Sequence, residues 1–159
     1  VVATDASDVG IGAVLLQEDS QGDLGPCAYF ARKLKPAERN YSAYDKEALA
    51  VVDTVTRHWR MYLEGCKSFS VVTDHATLTH LLTQSSSKLT GRQARFVEQL
   101  MPFAGYMTLL YRKGTTNEAD PVSRRPDFCS IWWDGEVPEA TEAHFLALDA
   151  TDISVNESF

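Results

Sequence analysis

The chain is poor in the residues that build disulfide frameworks and zinc centres. Its three cysteines, Cys27, Cys66 and Cys129, are odd in number and show no CxxC spacing. That argues against a disulfide scaffold and a cysteine-ligated metal, and fits reduced thiols. The four histidines, at 58, 75, 80 and 144, have no ligand spacing among themselves, so a histidine zinc site is unsupported too. No hydrophobic run approaches the roughly 18 residues of a membrane span, and no signal-peptide pattern is present. There is no initiator Met, and the chain opens inside a strand-like segment, which reads as a domain from a longer polypeptide. No internal repeat is visible.

Positive charge is missing from the C-terminal region, where acidic residues accumulate. From Asp127 to Phe159 there are eight acidic residues and no Lys or Arg. The remaining 126 residues hold 14 acidic side chains against all 15 basic ones, so the whole-chain charge of −7 misdescribes the body. The expected division is a folded domain over 1–126 and an acidic extension or linker over 127–159. Within that tail "CSIWWDGEV" reads as a short strand or an adhesive apolar patch carrying Trp132 and Trp133.

Hydrophobic patterning places strands at 1–6, 10–17 and 26–34, joined by short turns that suggest an antiparallel meander. Residues 40–65 read as one long helix, with Ser42 as N-cap and Gly65 as its stop. Its apolar stripe is Tyr44, Ala48, Val51, Val52, Val55, Trp59, Tyr62 and Leu63, with Trp59 and Tyr62 expected in the core. A fourth strand covers 68–74 and a short helix 76–83. A second helix, capped by Thr90, runs over 90–103, a fifth strand over 106–112, and a last short helix begins in "NEADPVSRR" at 117–125. This order predicts an α/β fold, a mixed sheet with helices packed on it.

Four carboxylates stand where burial disfavours charge. Asp5 ends the first strand and Asp74 the fourth, Glu47 lies early in the long helix, and Asp120 in the first turn of the last. Singly, each reads as a turn former or a dipole partner. Two apolar strands that both stop at Asp are candidates for neighbours whose ends meet. Carboxylates gathered there without Cys or His suit hard Mg²⁺, which takes few protein oxygens and leaves positions for water and phosphate. Periodicity leaves the helix acid open. Asp45 and Glu47 flank the apolar stripe on opposite sides, and either reaches a site beside the sheet.

The stretches "TDASDVGIGAVLLQ", "AYFARKLKPAERNYSAYDKEALAVVDTVTRHWRMYLEG", "FSVVTDHATLTHLL" and "NEADPVSRRP" resemble, in order, the ribonuclease H domain of gypsy-like LTR-retrotransposon reverse transcriptases. The resemblance implies a ribonuclease H-like fold: a five-stranded mixed sheet, first three strands antiparallel, flanked by helices. It implies a catalytic and metal-binding quartet of Asp5 in "TDAS", Glu47 in "YDKEALAVV", Asp74 in "VVTDH" and Asp120 in "NEAD". It further implies two Mg²⁺ ions, replaceable by Mn²⁺, and hydrolysis of the RNA strand of RNA–DNA hybrids during reverse transcription. The implied partners are that hybrid and reverse-transcriptase domains on the N-terminal side of one polyprotein. The implied setting is cytoplasmic, inside retroelement particles, away from membranes. Ser7, Thr77, Lys88, Arg92 and Arg95 are the expected nucleic-acid contacts. The alternative is an inactive retroelement-derived module kept for nucleic-acid or protein binding. One departure stands out: relatives carry a histidine in the loop before the last aspartate, whereas "YRKGTTNEAD" has none.

Overall fold

The computed structural model describes residues 1–125 and Phe128. Strands β1 (Val2–Ala6), β2 (Gly10–Glu18), β3 (Leu24–Lys33), β4 (Phe69–Thr73) and β5 (Met107–Tyr111) form one sheet in the order β3-β2-β1-β4-β5. The first three are antiparallel, and β4 pairs parallel to both β1 and β5. The expected five-stranded mixed sheet is therefore present. The short segment "VATDA" is buried from Val2 through Asp5 because β1 is the central strand and both its faces are covered. β3, at the edge, is largely exposed.

Side-chain alternation divides the core in two. Val2, Ile11, Ala13 and Val71 join the larger cluster with Ala48, Val51, Val52 and Val55 of α2 (Ala43–Asp53) and Phe96 and Leu100 of α4 (Gly91–Leu100). On the opposite face Ala3, Val14 and Leu16 pack with Ala119, at the start of the four-residue helix α5 (Asp120–Ser123).

Turn and cap chemistry explains the element ends. Ser7 Oγ accepts from the Val9 and Gly10 amides at 3.2 and 3.0 Å and closes the β1–β2 turn. Asp19 Oδ1 accepts from the Gln21 and Asp23 amides, and Gly22 supplies the positive φ the β2–β3 turn needs. Ser42 Oγ accepts from the Asp45 amide at 3.1 Å, and Thr90 caps α4 in reciprocal contact with Gln93.

The long helix is not continuous, contrary to its sequence pattern. α2 passes into a π-turn over Thr54–His58, breaks at Trp59, and resumes as α3 (Arg60–Leu63) before Gly65. The wider π-turn shifts the phase of everything after it. Trp59 and Leu63 remain buried, but Tyr62 is 66% exposed rather than in the core. The 76–83 segment is shorter and tighter than expected, a 3₁₀ turn over Ala76–His80. A one-turn helix missing from the sequence reading, α1 (Pro36–Arg39), starts at proline and is fixed by Glu38, which accepts from the Lys35 amide and both Arg32 guanidinium NH groups. The tail patch at Trp132 and Trp133 lies outside the described residues.

One close approach governs where α5 sits. Gly12 lies directly across from Asp5 in the β1–β2 ladder, and a Cβ there would stand 2.4 Å from the Ser123 backbone nitrogen. Gly12→Ala is expected to lose about 1–3 kcal/mol of stability in urea denaturation, because neighbouring backbone has little room to yield. Gly25→Ala, where an added Cβ meets nothing within 4 Å, is the control and should change stability by less than about 0.5 kcal/mol.

Candidate active site

The parallel register of β1 and β4 builds the first half of the site. Val2 pairs with Val71 and Ala3 with Val72, so continuing the same offset brings Asp5 opposite Asp74, just past the end of β4. The two strands that stop at Asp are neighbours, as their pattern implied. Asp5 is almost fully buried and Asp74 half-buried.

α2 supplies the third acid. Its Ser42 cap fixes the helix start, which places Glu47 in the second turn against the end of β1. There Glu47 Oε1 accepts from the Ala6 amide at 3.0 Å. Asp45, two residues earlier, is rotated about 200° around the axis. Its carboxylate accepts from Arg92 at 2.7 Å and Gln93 at 3.2 Å, both on α4. Glu47 thus faces the strand ends and Asp45 the neighbouring helix.

Oxygens of Asp5, Glu47 and Asp74 all lie within 4.8 Å of one another. Asp120 is outside this group. Its Oδ1 accepts from Arg124 Nε at 2.8 Å, although its charge is still felt at Asp5. α5 nonetheless reaches the cluster through a residue the sequence reading passed over. Ser123 is fully buried and its hydroxyl donates to Asp5 Oδ2. Asn117 anchors the approach to α5, donating from Nδ2 to the Thr4 carbonyl at 2.8 Å. Asn117 and Ser123 are both buried, but two polar residues in a polar stretch give no sequence signal of it. The 112–116 loop also touches the cluster: a Cβ on Gly114 would lie 2.8 Å from Asp74 Oδ2.

The electrostatics are those of crowded anions. Burial, then Asp5 and Asp74, push the Glu47 carboxyl up to about 9, against the Ala6 amide and the nearby Thr73 hydroxyl, which makes no hydrogen bond of ordinary geometry to Oε2. Burial likewise raises Asp5, with Asp74 and Asp120 adding to it and the Ser123 hydroxyl opposing it. Glu47 Oε2 is buried without a hydrogen-bond partner. An orphaned carboxylate oxygen beside two further carboxylates, with oxygen donors only, fits a hard divalent cation.

The expected nucleic-acid contacts are scattered. Ser7 is buried, and its hydroxyl is committed to the β1–β2 turn and the Ser123 carbonyl. Thr77 is exposed and bonded to His75 Nδ1 at 2.8 Å. Lys88 is exposed in a 3₁₀ turn, Ser86–Lys88. Arg92 and Arg95 line a groove with Tyr41, Gly91, Phe96 and Gln99, and the Arg92 guanidinium lies 3.7 Å from the Tyr41 ring centre. Tyr41 is also a wall of the cavity at the carboxylates, shared with Ala6, Ser7, Asp8, Lys46, Glu47 and Arg124.

The family model for the RNase H-like domain found in reverse transcriptase matches residues 1–103. The transposon Tf2-3 polyprotein of Schizosaccharomyces pombe is 39% identical over 129 residues, which cover 80% of this chain and 10% of that polyprotein. The chain thus spans about a tenth of the length of the curated relatives it matches. Among solved structures, the N-terminal RNase H domain of a Mycobacterium tuberculosis protein is similar with a TM-score of 0.57 at 11% identity, covering 76% of this chain and 87% of that one. LC11-RNase H1, solved in complex with an RNA/DNA hybrid, gives 0.54 at 12%, covering 76% and 89%. At such identities these likenesses show a shared fold.

A carboxyl whose folded pKa lies above its unfolded one is protonated more readily when folded. The stabilisation it contributes is complete below about 4.5 and is lost as pH rises toward about 9. With chelator present, stability should therefore fall between pH 5 and 8.5, and Asp5 acts in the same direction. Glu47→Gln should flatten that fall and be more stable than the parent at pH 8.5 by at least about 1 kcal/mol in urea denaturation. Parallel curves for the two proteins would contradict the assignment.

Proposed function

The chain belongs to the family of RNase H-like domains found in reverse transcriptase, and from that premise we propose that it is a metal-dependent endonuclease hydrolysing the RNA strand of RNA–DNA hybrids during retroelement reverse transcription. The observation that carries this reading is the meeting of Asp5, Glu47 and Asp74 at one end of the β1–β4 pair, with one Glu47 oxygen left unpartnered. A domain kept only for docking has no need of buried, mutually repelling carboxylates, which weighs against the inactive-module alternative.

In this proposal Asp5, Glu47 and Asp74 hold Mg²⁺, or Mn²⁺ in its place, with Asp120 as the fourth ligand of a two-ion site. When bound, such ions supply a water nucleophile at neutral pH and charge stabilisation at the phosphate. The protein's own part is positioning. Ser123 orients Asp5, the Ala6 amide orients Glu47, and Gly114 leaves room for Asp74. Nucleic-acid contact falls to the cations outside the cluster. Leaving the four acids aside, residues 1–126 carry a balance of +5, enough to attract phosphates. The groove of Arg92 and Arg95, joined to the site through Tyr41, is the proposed backbone track, with Lys88 and Thr77 as further contacts. Ser7 supports such a contact least, since its hydroxyl is already used.

Residues 1–126 as the nuclease domain and 127–159 as an acidic extension are part of the same proposal, as are reverse-transcriptase domains on the N-terminal side of a polyprotein and a setting in cytoplasmic particles. No helix among the described residues is long and apolar enough to cross a membrane.

Cleavage of a labelled hybrid is the test. Activity should require Mg²⁺ or Mn²⁺, leave 5′-phosphate and 3′-hydroxyl ends on RNA, and spare duplex DNA. Asp74→Asn and Glu47→Gln should each fall below about a hundredth of the parent rate, whereas Asp45→Asn should stay within about tenfold, or 1.4 kcal/mol of barrier. If Asp45→Asn proves the more damaging of the two helix variants, the site has been assigned to the wrong acid.

The missing loop histidine gives a separate expectation. His75 is bonded to Thr77 and stands T-shaped to Tyr44 with ring centres 5.3 Å apart, and Arg112 is paired with Glu118. Neither arrangement offers an imidazole in the 112–116 loop. The rate should rise from about pH 6 to 8.5 without a falling limb set by an imidazole, and His75→Ala should cost less than about tenfold. A hundredfold loss with unchanged metal affinity would place the general acid–base group at His75.

A further inference from the structure

α5 brings the carboxylate cluster an acid and, one turn later, a cation. Asp120 Oδ1 accepts from Arg124 Nε at 2.8 Å, with the two side chains 35% and 60% exposed. The pair therefore sits at the rim of the site. Arg124 also lines the cavity that contains Glu47, Lys46 and Asp8, and its charge is felt by Asp5. Lys46 is already paired with Asp8 at 2.8 Å. Arg124 thus holds the fourth acid, the carboxylate that lies outside the three-acid group.

The backbone beneath this pair is fixed. Ser123 donates to Asp5, Asn117 donates to the Thr4 carbonyl, and the Ser123 backbone rests on Gly12. Any change in the partner of Asp120 must therefore be made by side chains, with α5 held in place. An exposed ion pair one helical turn apart is weak in water, so exchange of its partner costs little.

We propose that Arg124 is a positioning residue that acts as a resident counter-ion: it holds Asp120 away from Asp5, Glu47 and Asp74, and Asp120 joins a divalent cation only by giving up this guanidinium. The proposal rests on the reading of the cluster as a divalent-cation site. It assigns to Arg124 control over how tightly the ion served by Asp120 is held. The competing account is that Arg124 repels cations merely as a nearby positive charge, with no dependence on Asp120.

Mn²⁺ alone, titrated calorimetrically into the full chain at fixed ionic strength and without nucleic acid, separates these accounts. Four proteins are compared: the parent, Arg124→Gln, Asp120→Asn and the double variant. Arg124→Gln should tighten the weaker Mn²⁺ event by about three- to fivefold, the order of an exposed ion pair. In the Asp120→Asn background the same change should alter affinity by less than about twofold, because the partner it releases is gone. Equal tightening in both backgrounds would overturn the exchange and leave only a diffuse charge effect. No tightening, or weaker binding, in Arg124→Gln would overturn it outright. A parent chain that binds no Mn²⁺ would remove the cation-site reading itself, a different failure from a parent that binds and a variant that does not respond.

Discussion

Three carboxylates that repel one another are held together at the end of a parallel strand pair, and much of the structure is arranged to keep them there. Removing charge from water and placing like charges side by side are both unfavourable, and Glu47 shows the consequence in a carboxyl raised to about 9. Such a cluster persists only because each acid is fixed by a different element. Asp5 belongs to the buried central strand, Asp74 follows its parallel neighbour, and Glu47 rides on a helix packed against both. Without a cation, protonation of Glu47 relieves part of the repulsion. A divalent cation relieves it too, and binding linkage then makes that cation a source of fold stability.

The buried acids Glu38, Asp45 and Asp53, which do not serve the cluster, are paired elsewhere. Asp45 is taken by Arg92 and Gln93, Asp53 by Arg32 and Arg57, and Glu38 by Arg32. The same helix α2 therefore carries a neutralised acid toward α4, an apolar stripe toward the sheet, and an acid with one bare oxygen toward the strand ends. That difference between Asp45 and Glu47 is one of partners, since both are buried carboxylates on the same helix.

Much of this was legible in the chain because the signals were local and repeated. Strand patterns, the Ser42 and Thr90 caps, and the two strands that stop at Asp all read through to the structure, since each depends on a few adjacent residues. Features that depend on packing between distant segments did not. The π-turn after Asp53 leaves no periodic trace, so the pattern places Tyr62 inside whereas it is exposed. Ser7 looked available beside Asp5, but the Gly10 amide and the Ser123 carbonyl, 116 residues away, already use it. Ser123 carries no local sequence signal for its role, since its bond to Asp5 spans 118 residues.

If the ends of β1 and β4, with Glu47, form a divalent-cation centre, a bound ion must sit between their three carboxylates. The most direct measurement is anomalous diffraction from crystals of the protein grown with Mn²⁺. An anomalous peak is expected within coordination distance of Asp5, Glu47 and Asp74 oxygens, about 2.0–2.3 Å by analogy with Mg²⁺ and Ca²⁺ sites. Saturating Mn²⁺ that leaves this position without a peak, with the three side chains ordered, would contradict a cation centre there.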